Sequence, residues 1–279
     1  MSFFSGGPIW ISDNGTAKST FYSGKGVKVG EISVPPAVTG QVANSTSDFV
    51  VTQGSNSGPA LFIFASFDPG TISGWNPSVN PNSAVVTVNT SSWYTGLAMG
   101  VSNGANFLFG ADNLGNKVDI YDGKFILVGS FTDTKLTGMK VYNVQNIGGK
   151  LYVTFSTGFG GAGAVDIFDT TGKLLKRLTK DAHLKGPWGI AMAPKNFGTA
   201  SKTLLIGNLG DGRINSFNAK TGKFVSQLTD TTNKVISIDG LWAIAFGQGG
   251  GTNGKPNQLF FAAGPAGYAN GLFGVINAK

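Results

Sequence analysis

A strand–turn–strand unit returns along the whole chain about every fifty residues. Each copy joins two hydrophobic runs through a turn rich in Gly, Asp and Asn, which is the pattern of an antiparallel hairpin. Three copies are clear, at residues 108–122, 151–169 and 204–218, and three are weaker, at residues 9–22, 61–76 and 259–277. A sheet-forming unit repeated six times closes into a ring of sheets, so the sequence predicts an all-β, six-bladed β-propeller.

The composition fits one propeller domain that spans residues 1–279. The 43 glycines and the 13% of charged residues suit many tight turns between short strands. No stretch repeats apolar residues at helical spacing for more than about two turns. The length is sufficient for a large buried core.

Each blade should contain four antiparallel strands, from an inner strand A to an outer strand D. The inner strands are predicted in apolar segments with small residues, which suit the crowded axis: residues 95–100, 141–147, 187–193 and 241–247. The two halves of the repeat supply strands B and C, and the outer strands include residues 126–131, 174–178 and 224–228. A further strand-like run at residues 48–52 has no unique place in this scheme.

The two ends of the chain are out of phase with the repeat. The first blade begins at its strand B, and the last blade stops after strand C at residues 272–276. We therefore expect a closing blade that is incomplete, with an open edge through which the chain could form oligomers. An N-terminally shortened sequence would produce the same pattern.

Neither nucleic acid nor a membrane is predicted as a partner. The net charge is +7, but the lysines are scattered over turns instead of clustered. The densest basic group, Lys173, Lys176, Arg177 and Lys180, lies on and beside a predicted outer strand, where lysine protects an exposed edge. No apolar run reaches the length of a membrane span.

A ligand site is predicted at one mouth of the channel. Strand polarity puts every B–C turn and every D–A connection on the same face, beside the central channel. The resulting funnel, with a rim of aromatic and amide side chains, has the usual form of a small-molecule site. The candidate ligand-binding residues are Trp93, Tyr94, Asp112, Asn113, Tyr142, Asn143, Trp188, Asn208, Asp211 and Trp242. The remaining turns and connections add Asp13, Asn14, His183, Asp239, Tyr268 and Asn270.

Each candidate also has a structural alternative. Asp and Asn in these turns are the residues that close Asx-turns through their side chains. Trp188 and Trp242 each precede Gly or Ala at the start of an inner strand, and packing between blades would explain them as well as a ligand would.

Residue types that carry catalysis are scarce. The one histidine, His183, lies in a polar loop with no nucleophile near it in sequence, and no G-x-S-x-G motif marks a serine nucleophile. The one glutamate, Glu31, falls on a predicted outer strand. The glycine-rich run at residues 158–163 joins two strands and opens no helix, so it does not predict a phosphate site.

Five stretches of the sequence resemble those of a known family. They are residues 47–78, 186–198 (GPWGIAMAPKNFG), 204–222 (LLIGNLGDGRINSFNAKTG), 238–247 (IDGLWAIAFG) and 263–274 (AGPAGYANGLFG). In motif order, residues 7–276 are similar to uncharacterised exported six-bladed propellers of bacteria and filamentous fungi, some of which carry a C-terminal sorting signal. The resemblance implies a secreted full-length precursor. It implies no activity and no catalytic residues.

Calcium-dependent six-bladed lactonases and phosphotriesterases also resemble this fold, and they hold their metal with a channel glutamate that this sequence lacks. We therefore expect no cofactor. A calcium ion held by oxygen atoms of Asp112, Asn113, Asn143 or Asn208 is the one metal alternative.

Three functions remain open from the sequence. The first is an exported propeller that binds a small, largely apolar molecule or a glycan in its funnel. The second is an enzyme of fungal-type natural-product metabolism that catalyses a cyclisation, cycloaddition or isomerisation by shape and hydrogen bonding. The third is a cell-surface or matrix interaction protein whose channel is packed.

Overall fold

The fold is a six-bladed β-propeller, as the repeat predicts. The computed structural model describes residues 1–278, in which six antiparallel sheets form the blades and one hairpin stands apart. We number the blades 1 to 6 in chain order. None of the described residues forms a helix that is long and apolar enough to cross a membrane.

Blades 1 and 2 contain the features that the sequence leaves open. Blade 1 consists of β1 (Ile9–Asp13), β2 (Lys18–Tyr22) and β3 (Lys28–Ser33), paired in that order. Blade 2 begins with β4 (Val38–Ala43), and the hairpin β5 (Val50–Gln53) and β6 (Asn56–Pro59) follows before the blade continues with β7 (Phe62–Ser66), β8 (Gly70–Trp75) and β9 (Val85–Thr90). The unassigned run at residues 48–52 is therefore part of an inserted hairpin. Its residues Phe49 and Val51 are buried in the cluster that joins blades 2 and 3.

Blades 3 to 5 follow the regular scheme, and blade 6 stops one strand short of it. Blade 3 has β10 (Tyr94–Ser102), β11 (Ala105–Asp112), β12 (Lys117–Asp122) and β13 (Leu127–Phe131). Blade 4 has β14 (Lys140–Ile147), β15 (Lys150–Ser156), β16 (Gly163–Phe168) and β17 (Leu174–Thr179). Blade 5 has β18 (Pro187–Met192), a 3-10 turn (Gly198–Ala200), β19 (Leu204–Asn208), β20 (Ile214–Phe217) and β21 (Phe224–Gln227). Blade 6 has β22 (Leu241–Phe246), β23 (Gln258–Ala263) and β24 (Leu272–Asn277).

The incomplete closing blade is confirmed, with one refinement. Blade 1 lacks an inner strand, but Ser2 lies beside β1 and exchanges two backbone hydrogen bonds with Trp10, of 3.0 and 2.9 Å. Within residues 1–278, no strand pairs with the outer edge of β24.

Residues near the N-terminus close the ring between blades 6 and 1. The Asn253 side chain is fully buried and donates from Nδ2 to the Phe4 carbonyl at 2.9 Å, and the Thr252 amide donates to the Gly6 carbonyl at 3.4 Å. Phe3, Ile9, Ile11 and Phe260 form a hydrophobic cluster across the same junction. Apolar burial and a satisfied buried amide therefore hold a junction that no shared sheet spans.

Neighbouring inner strands approach each other most closely at glycines. A Cβ atom on Gly40 of blade 2 would lie 2.8 Å from the Leu97 amide nitrogen of blade 3, and one on Gly189 of blade 5 would lie 2.8 Å from the Trp242 carbonyl oxygen of blade 6. Gly96 of blade 3 meets the Asn143 side chain of blade 4 in the same way. Since the obstacles at Gly40 and Gly189 include backbone, a side chain at these positions would push the strands apart.

A buried ionic group joins the outer part of blade 4 to the loop before it. Arg177 lies opposite Asp166 in the β16–β17 register, donates from Nε to Asp166 Oδ1 at 3.2 Å, and also bonds Asp133. Both carboxylates are buried. Arg177 thus lies partly exposed at the outer edge, as the sequence predicts, and in addition pairs with two buried carboxylates. Burial first, and then a hydrogen bond with Asp133, raise the pKa of Asp166 to about 7, although Arg177 acts in the opposite direction.

Replacing Gly189 with alanine should destabilise the propeller. The new methyl group would meet the Trp242 carbonyl and the Ile244 amide of blade 6, and overpacking of this kind costs about 1–3 kcal/mol of unfolding free energy. Chemical denaturation of Gly189→Ala measures this loss. Gly271→Ala is the matched control, because nothing lies within 4 Å of its added carbon, and we expect a change below about 0.5 kcal/mol. Equal stabilities of the two variants would contradict the crowding argument.

Asp166 should make stability fall as the pH rises. In the unfolded chain its carboxyl ionises near its ordinary pKa of about 3.9, whereas the folded protein keeps it protonated up to about pH 7. The folded state therefore binds a proton that the unfolded state has lost between about pH 4 and pH 7, so stability falls as the pH rises through this range and levels off above it. We expect the melting temperature of the wild type to fall by a few degrees more than that of Asp166→Asn between pH 5 and pH 8.

The control for this experiment is Asp230→Asn. Asp230 is an exposed turn residue, and its hydrogen bonds with Thr232 lower its pKa, so it stays ionised at both pH values. Asp230→Asn should keep the pH dependence of the wild type. If Asp166→Asn also keeps it, Asp166 does not hold a proton in the folded protein.

Candidate functional site

An extra residue interrupts the inner strand of five blades, near the end that faces the B–C turns. In β4 the register passes from Val38 opposite Ser66 to Gly40 opposite Ala65, which leaves Thr39 without a partner. A register shift of one residue occurs at the same level in each of the other inner strands, and in β18 both Trp188 and Gly189 stand opposite Gly207. The bulged residues that we compare are Thr39, Thr95, Tyr142, Trp188 and Trp242. A β-bulge redirects a side chain relative to the regular alternation of a strand.

All five bulged residues line one cavity of about 800 Å³ at this mouth of the channel. B–C turn residues such as Asn14, Asn113 and Tyr268 line it as well, so the turns and the inner strands converge on one face. Pockets that hold small molecules typically measure roughly 300–1,000 Å³. The cavity thus has the size of a ligand site. We call it the funnel.

The wall formed by blades 4 to 6 is aromatic. The rings of Trp188 and Trp242 stand almost perpendicular, at 87°, with centroids 5.7 Å apart. Tyr142 packs against Phe159 at 6.1 Å, and both Phe159 and Tyr268 contact Trp242, at 6.3 and 5.9 Å. Phe159 and Tyr268 come from the B–C turns of blades 4 and 6, and at least half of each side chain is exposed. They form an exposed rim above the buried indole of Trp188 and the half-buried indole of Trp242.

Trp188 lies deepest and crosses the channel. Its Nε1 donates to the Thr95 carbonyl of blade 3 at 2.9 Å, two blades away from its own strand. Its side chain is buried with Tyr142 and Leu209. The indole therefore forms a floor of the funnel and links two blades that are not neighbours in the ring.

Blades 2 and 3 contribute threonines in place of aromatic residues. The Thr39 hydroxyl donates to the Tyr94 carbonyl at 2.5 Å, and the Thr95 hydroxyl donates to the Ala111 carbonyl at 3.2 Å. Trp93, whose ring lies 4.9 Å from that of Phe67, covers the outer part of this side. The funnel is therefore lopsided, with its largest apolar surface on blades 4 to 6.

Five of the ten predicted ligand-binding residues line the funnel, and five do not. Those at the wall are Trp93, Asn113, Tyr142, Trp188 and Trp242. Those away from it are Tyr94, Asp112, Asn143, Asn208 and Asp211. All of the second group hold the backbone or a buried polar group of the propeller, which corrects the sequence-based assignment of their positions.

Tyr94 points between blades instead of into the channel. Its ring is fully buried, and its hydroxyl contacts Asp119 Oδ2 at 2.9 Å and the Tyr121 hydroxyl at 2.6 Å. Asp112 closes its turn, since its Oδ1 accepts hydrogen bonds from the Trp93 and Gly115 amides, both at 3.0 Å. Regular strand alternation sends Tyr94 to the blade interface, and only the bulge after it sends Thr95 to the funnel.

The remaining amides and Asp211 are also engaged in the fold. Asn143 donates from Nδ2 to the Trp188 carbonyl of the next blade at 2.7 Å. Asn208 donates to the His183 carbonyl at 2.7 Å and to Asp211 Oδ1 at 3.0 Å. Of the four residues considered for calcium, only Asn113 lines the funnel, and its Nδ2 donates to the Val141 carbonyl at 2.7 Å. Calcium binding stays a prediction that no observation tests.

The six other candidates from the turns and connections also fall into two groups. Asp13, Asn14, Tyr268 and Asn270 line the funnel, whereas His183 and Asp239 do not. Asn14 donates to the Val38 carbonyl of blade 2 at 3.2 Å, so it links two blades as Asn113 does. Burial raises the pKa of Asp13, although a contact with Thr20 and the charge of Lys28 act against this shift.

The remaining candidates for catalysis lie outside the funnel wall. His183 bonds Asp181 at 2.7 Å and stacks on Phe224 at 3.7 Å. Glu31 lies on the outer strand β3, as predicted, where Lys18 and Lys28 bond it. Within the described part of the chain, no group of three or more His, Cys, Asp or Glu side chains could hold a metal ion.

The bulge positions carry a sequence signal that the repeat analysis only partly used. The five inner strands align as VTG, YTG, VYN, PWG and LWA, with the bulged residue in the middle. Trp188 and Trp242 show this pattern before Gly or Ala, but Thr39 and Thr95 occupy the same position and were missed. Phe67 and Phe159 were also missed, because no repeat marks them.

Solved structures support the fold and no more. The chain superimposes with a TM-score of 0.61 on a chain of hydrazine synthase from Kuenenia stuttgartiensis, at 12% identity, covering 100% of this chain and 95% of the other. A catalytically inactive virginiamycin B lyase from Staphylococcus aureus with quinupristin gives a TM-score of 0.60 at 14% identity, covering 93% and 74%. A chain of the nidogen–laminin complex gives 0.60 at 13%, covering 97% and 93%. Proteins with such different names share this architecture, so the likeness assigns no function.

Sequence relatives come from Acanthamoeba polyphaga mimivirus, and no family model matches the chain. Uncharacterized protein R640 is 31% identical over 216 residues, which cover 70% of this chain but only 40% of R640. Uncharacterized protein R648 is 29% identical over 304 residues, which cover 97% of this chain and 72% of R648. The predicted membership of an exported family of bacteria and filamentous fungi is therefore wrong. Secretion followed from that resemblance, and no observation tests it.

The third relative covers enough of both proteins to establish kinship. Uncharacterized protein L690 of the same virus is 30% identical over 266 residues, which cover 85% of this chain and 70% of L690. The chain belongs to the family of this mimivirus protein.

Proposed function

We propose that the propeller binds a small, largely apolar molecule in the funnel. The observation that carries this proposal is the ring of bulged residues around a cavity of about 800 Å³. Five successive inner strands break their regular pairing at the same level, and each break turns one side chain toward the cavity. A bulge disrupts hydrogen bonds between two paired strands. Bulges are nevertheless enriched next to functional sites, where they redirect a side chain.

The composition of the wall supports an apolar ligand. The funnel-lining residues include Trp93, Tyr142, Phe159, Trp188 and Trp242, and aromatic side chains of this kind offer large, rigid contact surfaces. Among the described residues that line the funnel, there is no lysine, arginine, histidine or glutamate side chain. A neutral ligand fits such a wall better than an anion does, since burying an unpaired charge is costly.

Binding is better supported than either alternative function. The lining residues include a single carboxylate, Asp13, and no partner that would form an acid–base pair with it. We therefore propose no reaction. An interaction protein with a packed channel is less compatible with a cavity of this volume, because close packing leaves few voids larger than a water molecule.

Removing the funnel tryptophans should weaken binding of an apolar probe. The probe is 1-N-phenylnaphthylamine, a neutral dye whose fluorescence rises in apolar surroundings, titrated into the purified protein. We expect Trp93→Ala, Trp188→Ala and Trp242→Ala each to raise its dissociation constant by about tenfold, since an aromatic contact contributes about 0.5–1.5 kcal/mol beyond its buried area. Trp188→Phe keeps a ring at the floor and should lose less.

Trp75→Ala is the matched control. Trp75 lies on β8 of blade 2, donates from Nε1 to the Pro81 carbonyl at 3.3 Å, and is not among the funnel-lining residues. Circular dichroism verifies that each variant is folded. The proposal fails if folded Trp93→Ala, Trp188→Ala and Trp242→Ala all bind the dye as tightly as Trp75→Ala does.

A further inference from the structure

One phenol in the funnel wall has no hydrogen-bond partner. Tyr142 is 5% exposed, its hydroxyl oxygen is buried, and that oxygen bonds no atom of the described residues. Tyr142 occupies a bulge position and lines the funnel. Buried hydroxyl groups are nearly always paired, and an exception at the wall of a cavity needs an explanation.

Other buried polar side chains of the neighbouring inner strands bond partners within the fold. The hydroxyl of Tyr94, which points between blades, bonds both Asp119 and Tyr121. The Trp188 indole bonds the Thr95 carbonyl, and Asn143 bonds the Trp188 carbonyl. Among these buried side chains of the inner strands, Tyr142 differs because its donor is left free.

The protonation state of the Tyr142 hydroxyl determines which ligand groups it can bind. Burial first, and then the nearby Tyr268, raise the pKa of Tyr142 far above its ordinary value, so the group is a neutral hydroxyl at physiological pH. A neutral phenol donates one hydrogen bond and suits an acceptor oxygen on a ligand. Since no lysine, arginine or histidine side chain lines the described funnel, that acceptor is better neutral than anionic.

The shape beside Tyr142 favours a flat molecule. Trp188 and Trp242 present two ring planes at 87°, so a planar ligand that stacks on one indole meets the other with its edge. Phe159 packs on the Tyr142 ring at 6.1 Å and is 57% exposed. A ligand can reach the hydroxyl only if Phe159 moves aside. Gly158 precedes Phe159 and two glycines follow it, so the backbone on either side of this residue is conformationally permissive.

We propose that the ligand is a neutral, planar aromatic molecule whose carbonyl oxygen accepts a hydrogen bond from the Tyr142 hydroxyl. This inference rests on the proposed function and adds to it the chemical class of the ligand and the group that orients it. An aromatic carbonyl lies in the plane of its ring. It therefore reaches the phenol from the edge of a stacked molecule.

A matched pair of probes tests the carbonyl. 2-Acetylnaphthalene and 2-isopropenylnaphthalene have nearly the same shape and differ by a carbonyl oxygen in place of a methylene group. We expect the wild type to bind 2-acetylnaphthalene about tenfold more tightly, as measured by equilibrium dialysis, because one well-placed hydrogen bond has about this effect. Tyr142→Phe should bind both probes equally, with the affinity of the wild type for the hydrocarbon.

Two further measurements separate ligand binding from a structural role. Tyr152→Phe is the control, since Tyr152 lies on β15 of the same blade, is buried, and is not among the funnel-lining residues; it should keep the tenfold preference. Without ligand, Tyr142→Phe should melt no lower than the wild type, because removing an unpaired buried hydroxyl removes a desolvation cost.

Several results would overturn the inference. They are equal binding of both probes by the wild type, a preference that survives in Tyr142→Phe, a lower melting temperature of unliganded Tyr142→Phe, and no binding of either probe. The tryptophan variants decide separately whether the funnel is a site at all. If they lose the dye while the carbonyl preference is absent, the proposed function stands and only the ligand class is wrong.

Discussion

Close approach of neighbouring inner strands around one axis is the constraint on which the rest of this structure depends. Six blades can share a channel only if their inner strands nearly touch, and Gly40, Gly96 and Gly189 mark the places where they do. Side chains then bridge the strands, as when Thr39 bonds the Tyr94 carbonyl and Asn143 bonds the Trp188 carbonyl. The axis is therefore held by backbone proximity and buried hydrogen bonds, and the apolar clusters lie between the blades farther out.

The bulged residues and the crowded glycines are adjacent in the sequence. Thr39, Thr95 and Trp188 each stand directly before a crowded glycine, so the residue that turns toward the funnel and the residue that permits packing are adjacent in sequence. The same stretch of backbone therefore permits close packing of neighbouring blades and directs a side chain into the cavity. The inner wall of the funnel then depends on which side chain occupies each bulge, and here two threonines face three aromatic residues.

Charge is distributed differently from what the basic composition suggests. The chain carries a net charge of +7, yet no lysine or arginine side chain lines the described funnel. The outer part of blade 4 holds an ionic group in which the partly exposed Arg177 bonds the buried Asp133 and Asp166. Because no basic side chain lines the funnel, the net charge of the chain does not indicate the charge of the ligand.

The sequence by itself determined the architecture, because a repeat of strand-forming units with glycine-rich turns leaves few closed arrangements. The inner strands of blades 3 to 6, the outer position of Glu31 and the incomplete closing blade all followed from this periodicity. The repeat also identified Trp93, Asn113, Tyr142, Trp188 and Trp242, which line the funnel. Only the tertiary structure decided between neighbours such as Tyr94 and Thr95, because a bulge shifts the alternation by one residue and the sequence pattern at these positions does not show which neighbour turns toward the channel. It also decided that Asp112, Asn143 and Asn208 serve the fold, since they bond the Trp93 amide, the Trp188 carbonyl and the His183 carbonyl, which lie far away in the sequence. Local periodicity specifies which residues form strands, whereas register and contacts between blades specify which side chains remain free for a ligand.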